Sequence, residues 1–240
     1  MINLIITAAT FFAQALTGAW YTLSDNLSER KKKILFKIIC PLFYLCDCVL
    51  CISFKNSFAS IFSLLLLSGF VIHFAGELAD KLKKKKSFYI QPSFFTAGKL
   101  CFFSAFCVFS KPLLPVKFLI YELSVFLVFC VIFIILLTKK KQLLTSFFYP
   151  VMLFGITDIL FFVKTVFCGI FCFGSQIKGF DSLSFILISG SLFILISDII
   201  YVMMIFFGKY SNHLSQLRIY LYYYGMMLLA CTTLFTGGIV

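Results

Sequence analysis

Long apolar runs separated by short basic clusters make up nearly the whole chain, and within the runs polar and apolar positions do not alternate. The stretch from Leu123 to Leu137 is interrupted only by Ser124 and Cys130. A transmembrane strand would alternate over about ten residues, whereas a bilayer-crossing helix needs about 20 mostly apolar ones. The pattern therefore predicts helices over roughly 2–20, 38–54, 57–78, 94–110, 116–138, 143–166, 183–207 and 217–238. The expected fold is all-α, a polytopic helical membrane protein of about eight transmembrane helices in one bundle. Residues 1–240 form a single transmembrane domain, since no loop is long enough to bury a core of its own. Lys55-Asn56 and the segment 111–115 read as short turns. Lys164 and the Gly/Ser-rich stretch 167–182 blur the end of the sixth span, and no internal repeat stands out.

Composition excludes a soluble domain: 62% of the 240 residues are hydrophobic and 12% charged, against about 25% charged in soluble proteins. The formal net charge of +12 reflects basic residues beside the spans, facing membrane lipids, and no nucleic-acid partner is expected. Fifteen basic residues fall in the odd-to-even loops: Arg30–Lys33 with Lys37, Lys81 with Lys83–Lys86, Lys139–Lys141, and Lys209 with Arg218. Four fall on the opposite side (Lys55, Lys111, Lys117, Lys178), while Lys99 and Lys164 lie within or at the ends of spans. This bias places those loops in the cytoplasm and both termini outside, in a multi-pass protein of the cell membrane. The first 20 residues lack the basic leader region of a signal peptide and read as a retained first span. The ten cysteines are scattered through the spans, where a thiol packs as a small apolar group. Cys46, Cys48 and Cys51 lack zinc-site spacing, so no metal or cofactor is expected. Cys168 and Cys172 could pair on an oxidising outer side.

Against this background Asp47 and Asp198 stand out, because a carboxylate near the middle of a span costs about 2.5–3.5 kcal/mol on insertion scales. Asp47 lies ten residues from Lys37 and Asp198 eleven from Lys209, which at 1.5 Å per residue predicts a common depth of about 15 Å. His73 lies eight residues from Lys81, about one turn shallower. Ser184, Ser191 and Asp198 recur every seven residues as one polar stripe, with Ser197 adjacent and Tyr201 a turn beyond. Cys40, Tyr44, Asp47 and Cys51 share a face of the second span; Gly69, His73, Gly76 and Asp80 share one on the third, with Glu77 a turn after His73. Small residues on such stripes also serve close helix packing. Asp158 is expected nearer the outer face, and Glu122 and Asp181 at solvated span ends.

At these positions the chain resembles the YhhN-like lysoplasmalogenase family. Gly190-Ser-Leu-Phe193-Ile-Leu-Ile-Ser197-Asp198 is similar to its G-x-x-x-F-x-x-S-D motif in the spacing of Gly190, Ser197 and Asp198, with Phe193 one position early, and Phe70-Val-Ile-His73 resembles its aromatic-to-His signature in the third span. Asp47 with Leu50, followed by Phe58 and Gly69–His73, resembles its earlier G-D-x-x-L region, and Tyr223-Tyr224 fits the Tyr-rich start of its last span. Cys46 stands where that family has glycine, Met226 or Met227 where it has glutamine, and Glu77 near where a tyrosine follows the histidine. The resemblance implies hydrolysis of the vinyl-ether bond of a lysoplasmalogen, a lysophospholipid substrate, to a fatty aldehyde and a glycerophospho-base. Protonating a vinyl ether needs an acid and a negative partner for the resulting cation, a task for two carboxylates in one low-dielectric site. Asp47 and Asp198 are the expected catalytic pair, with His73, Ser197, Tyr201, Glu77 and Tyr223 orienting water or substrate. Two other readings keep the same residues: a proton- or lipid-coupled carrier in which the aspartates titrate, and a non-catalytic protein in which they bridge helices.

Overall fold

The computed structural model describes residues 2–23, 29–54, 61–79, 87–111, 114–139, 144, 147–174, 180–206 and 211–236, and among them all regular structure is helical. The long helices are α1 (Ile2–Leu23), α2 (Glu29–Phe54), α3 (Ile61–Ala79), α4 (Ser87–Ser110), α5 (Val116–Thr138), α6 (Phe148–Gly174), α7 (Phe180–Phe206) and α8 (Asn212–Cys231), with a single turn, α9 (Thr233–Thr236), at the end. Five of them, α3 to α7, are long and apolar enough to cross a membrane. In such runs the helix satisfies every backbone group internally, which a lipid-facing segment requires. Pro41 and Pro92 lie inside α2 and α4 without ending them, and Ser211 caps α8 by accepting the Leu214 amide at 3.1 Å.

Each predicted span has its helix, but two boundaries differ in ways that matter. Helix α2 starts at Glu29, so Lys37 sits two turns inside it and not at a loop. Helix α6 starts five residues after 143 and runs on to Gly174, so Lys164 and the first part of the Gly/Ser-rich stretch are helical. The side chains of Arg30–Lys33 and of Cys51 lie outside the described residues. So do Lys55-Asn56, Phe58, Asp80–Lys86, Lys140, Lys141, Lys178 and Lys209.

The helices pack in a definite order. Along the chain α1 lies on α2, α2 on α3, α3 on α4, and α4 on α6; then α5 lies on α6, α6 on α7, α7 on α8, and α8 returns to α2. Adding four to each label in the first series gives the second, a repeat that the sequence pattern alone did not reveal. The two closest crossings are glycine-lined. A Cβ on Gly69 or Gly98 would stand 3.1 Å from the other's carbonyl oxygen, and Gly190 and Gly225 face each other likewise at 3.3 and 2.8 Å. Buried aromatic rings fill the centre, among them Phe70 against Phe102 at 4.9 Å and Phe102 against Phe161 at 5.9 Å. Helix α5 is peripheral, with only 11% of its span buried.

Candidate functional site

A lysine in an apolar helix must find a counter-charge or leave the bilayer, and Lys99 on α4 finds two. Its ammonium lies 2.7 Å from Asp158 Oδ1 on α6 and 2.5 Å from Asp198 Oδ2 on α7, and all three residues are buried. The two carboxylate oxygens share one nitrogen, so they are separated by no more than the sum of those distances, 5.2 Å. Phe154, one turn before Asp158, puts its ring centre 3.9 Å from the ammonium, a cation–π contact that strengthens in a dry site. The cluster exists because α6 packs against both α4 and α7, bringing together residues 59 and 99 positions apart.

Beside the two carboxylates lies a cavity of about 430 Å³ between α5, α6 and α7, and apart from Asp158 and Asp198 its wall is apolar. That volume is within the roughly 300–1,000 Å³ of small-molecule sites. Phe129, Ile132 and Leu136 of α5 line it and are also exposed on the outside of the protein, so its mouth opens on an apolar exterior. Gly155 keeps α5 close: a Cβ there would run into the Phe133 ring. The geometry offers an apolar slot that ends at two carboxylates and an ammonium.

Asp198 is therefore in a multi-helix polar cluster, as expected, but its neighbour is Asp158 and not Asp47. Asp47 is buried on the other side of α2, where it accepts hydrogen bonds from Thr7 and Thr10 of α1 at 2.9 and 3.2 Å. The common depth of Asp47 and Asp198 rested on Lys37 as a loop residue. Because α2 starts at Glu29, Asp47 is 18 residues from that end, whereas Asp198 is eight from the end of α7. The difference is about 15 Å along the helix axes. Asp158 was misplaced for the complementary reason, since counting α6 from 143 puts it five residues too deep. Asp47→Asn is expected to lower thermal stability by no more than about 1 kcal/mol, since both hydroxyls donate to Oδ1, which the amide keeps as an acceptor, and only the charge on that acceptor is lost; unfolding in mild detergent measures it.

The remaining candidates gather elsewhere, and none lines the cavity. His73 stacks between Phe95 and Phe102 (5.1 and 5.2 Å) and shares a 2.8 Å hydrogen bond with the Tyr222 hydroxyl. Glu77 lies 3.6 Å from Lys37, and Gln14 donates to the Tyr223 carbonyl at 2.8 Å. Ser197, next to Asp198, donates to the Arg218 carbonyl at 3.0 Å, tying α7 to α8. The Tyr201 hydroxyl donates to Gln91 at 3.4 Å while Arg218 covers its ring at 4.4 Å. Glu122, expected to be solvated, is buried and accepts from Lys164 at 3.0 Å, linking α5 to α6; Asp181 is exposed. Cys168 and Cys172 form no disulfide with each other, and the Cys168 thiol donates to the Phe106 carbonyl. Lys99 and Asp158 are the site residues that the sequence argument left out. Their signal was the lysine itself, which could not stay unpaired in a run such as Phe94–Phe109. No family model, curated protein or solved structure matches the chain.

Proposed function

We propose that the chain is a membrane-embedded hydrolase that cleaves the vinyl-ether bond of a lysophospholipid, with Asp158, Asp198 and Lys99 as its reactive cluster. The observation that carries this reading is the apolar cavity ending at two carboxylates no more than 5.2 Å apart. Retaining glycosidases likewise use two neighbouring carboxyl groups, one to donate a proton and one to stabilise a similar oxygen-bearing cation. The likeness to the YhhN-like lysoplasmalogenases at Ser197-Asp198 and Phe70–His73 supports the choice of bond. On this reading all eight long helices cross the cell membrane in alternation, with both termini outside and the basic loops facing cytoplasmic lipid headgroups.

The chemistry follows from charge balance. One ammonium offsets one carboxylate, so the neutral form of the cluster holds one proton on the acid pair. That proton adds to the outer carbon of the double bond, leaving a cation shared between the inner carbon and the ether oxygen. The ionised carboxylate stabilises the cation and takes a proton from the water that adds to the inner carbon. The hemiacetal then moves its hydroxyl proton to the ether oxygen and separates into aldehyde and alcohol, and the cluster again holds one proton. Lys99 fixes both carboxylates without entering the proton count.

Purified protein given a lysoplasmalogen is expected to release fatty aldehyde, to release none from the saturated ether analogue, and to keep its rate in Asp47→Asn. Absence of aldehyde from well-folded protein sinks this reading. The carrier reading is favoured by the repeated helix order, since parallel repeats with a site at their seam are common in transporters. Sealed vesicles distinguish the two: a carrier moves labelled lysolipid between leaflets and leaves it intact.

A further inference from the structure

The repeat seen in the packing order extends to single residues. Shifting α3 by 121 positions places Ser63, Ser68, Gly69 and Glu77 on Ser184, Ser189, Gly190 and Asp198 of α7. All nine buried residues of α3 then fall on buried residues of α7, and the stretch 183–200 contains no other buried position. The same shift carries α2 onto α6, setting buried Phe36, Cys40, Tyr44 and Cys48 on buried Thr157, Phe161, Thr165 and Gly169. For the last helix of each half the shift is 127, which sets Phe95, Gly98, Lys99 and Phe102 on Tyr222, Gly225, Met226 and Leu229, all buried. Contacts correspond as well. A Cβ on Gly98 would strike the His73 ring and the Gly69 carbonyl; a Cβ on Gly225 would strike Ile194 and the Gly190 carbonyl. His73 and Ile194 are themselves matched by the shift. A chance likeness between apolar helices would reproduce a periodicity, but not the partner of each glycine.

We infer that the chain is two copies of one four-helix unit, α1–α4 and α5–α8, and that Lys37, Glu77 and Met226 are a second, diverged copy of the Asp158–Asp198–Lys99 site. In each copy the second helix of one unit packs on the fourth helix of the other, and the third helix reaches that fourth helix through a side chain, Asp198 to Lys99 in one copy and His73 to Tyr222 in the other. An even number of helices per unit gives both the same direction across a membrane, so the relating axis lies along the membrane normal. The diverged copy has exchanged its charges. Asp158 is matched by Lys37, Asp198 by Glu77, and Lys99 by uncharged Met226. The first copy thus contains one cation and one carboxylate, 3.6 Å apart, and has no second acid to hold a spare proton. Each chain keeps one proton-holding site, whatever reaction or transport that site performs. The first copy is a site that has settled into an ion pair.

Moving the ammonium tests the correspondence. Lys37→Met leaves buried Glu77 without its cation, and Met226→Lys adds a cation with no acid of its own. If position 226 stands to Glu77 as Lys99 stands to Asp198, the two changes rescue each other. The double variant is then expected to recover at least about tenfold in folded-to-unfolded ratio over the sum of the single effects. Met227→Lys, one position away and also buried, is expected to give no rescue. The reverse exchange, Asp158→Lys with Lys99→Met, rebuilds the first-copy arrangement in the second and is expected to fold, read by thermal unfolding in detergent. Purely additive effects at 37 and 226, equal rescue from 226 and 227, or failure of both exchanges to fold would overturn the inference.

Discussion

Replacing Lys99 by methionine is expected to destabilise the protein by about 3–5 kcal/mol, the range for breaking a buried ion pair from one side. Lys99 is 1% exposed and its two carboxylate partners 5–6%, so water cannot take over the role of the ammonium. The variant would retain two buried acids without their counter-charge, and the aliphatic shape of methionine supplies packing but no hydrogen. Chemical unfolding in a mild detergent measures the loss. The compensating variant makes the cause specific: Asp158→Leu and Asp198→Leu added to Lys99→Met remove all three charges and should recover most of the stability, because replacing a whole buried ion cluster by apolar residues of similar volume is often close to neutral. A Lys99→Met protein as stable as the wild type would mean that the three charges are solvated in the membrane, contrary to their burial.

The second large effect is on turnover. If the chain carries the proposed hydrolase activity, Asp198→Asn or Asp158→Asn is expected to lower the rate of aldehyde release by about 10²- to 10⁴-fold, the usual contribution of one positioned acid or base. Stability should change little or rise, since Lys99 keeps one carboxylate and the cluster becomes neutral without any added proton. That separation of activity from stability distinguishes a reactive group from a helix bridge. A pair that only joins α4, α6 and α7 would lose stability in both variants and leave any turnover where it was. The solvent-exposed Asp181→Asn provides the comparison in which neither changes.

The sequence made the helices legible because length and continuity of apolar runs are local properties. Facing was legible too: Ser184, Ser191 and Asp198, placed on one stripe by a seven-residue recurrence, are all buried in α7. Depth was not, because it was counted from lysines taken to mark the membrane edge. Lys37 fails as a marker, since it lies inside α2 with its ammonium turned to Glu77. A side chain long enough to reach a partner or the rim reports its own tip and not the helix end. Asp158 was lost to the same kind of error at the start of α6. The partnership of Lys99 with residues 59 and 99 positions away is a property of helix order around the bundle, and no local periodicity contains it. The repeat in the packing order leaves only a handful of matched glycines and serines among interchangeable Leu, Ile and Phe, so local periodicity does not display it, whereas the order of the helices and the contacts of those glycines do.

Helix α5 touches the rest of the protein mainly through α6, and its cavity-lining face shares residues with its exposed one. On the proposed function, a substrate chain that reaches Asp158 and Asp198 past Phe129 and Ile132 would come from the acyl region of the bilayer without crossing bulk water. The concentration that governs occupancy is then a two-dimensional one, the mole fraction of lipid in the surrounding leaflet. Diluting the substrate with inert lipid or detergent at constant bulk concentration would lower the rate, while diluting the whole suspension with buffer would not.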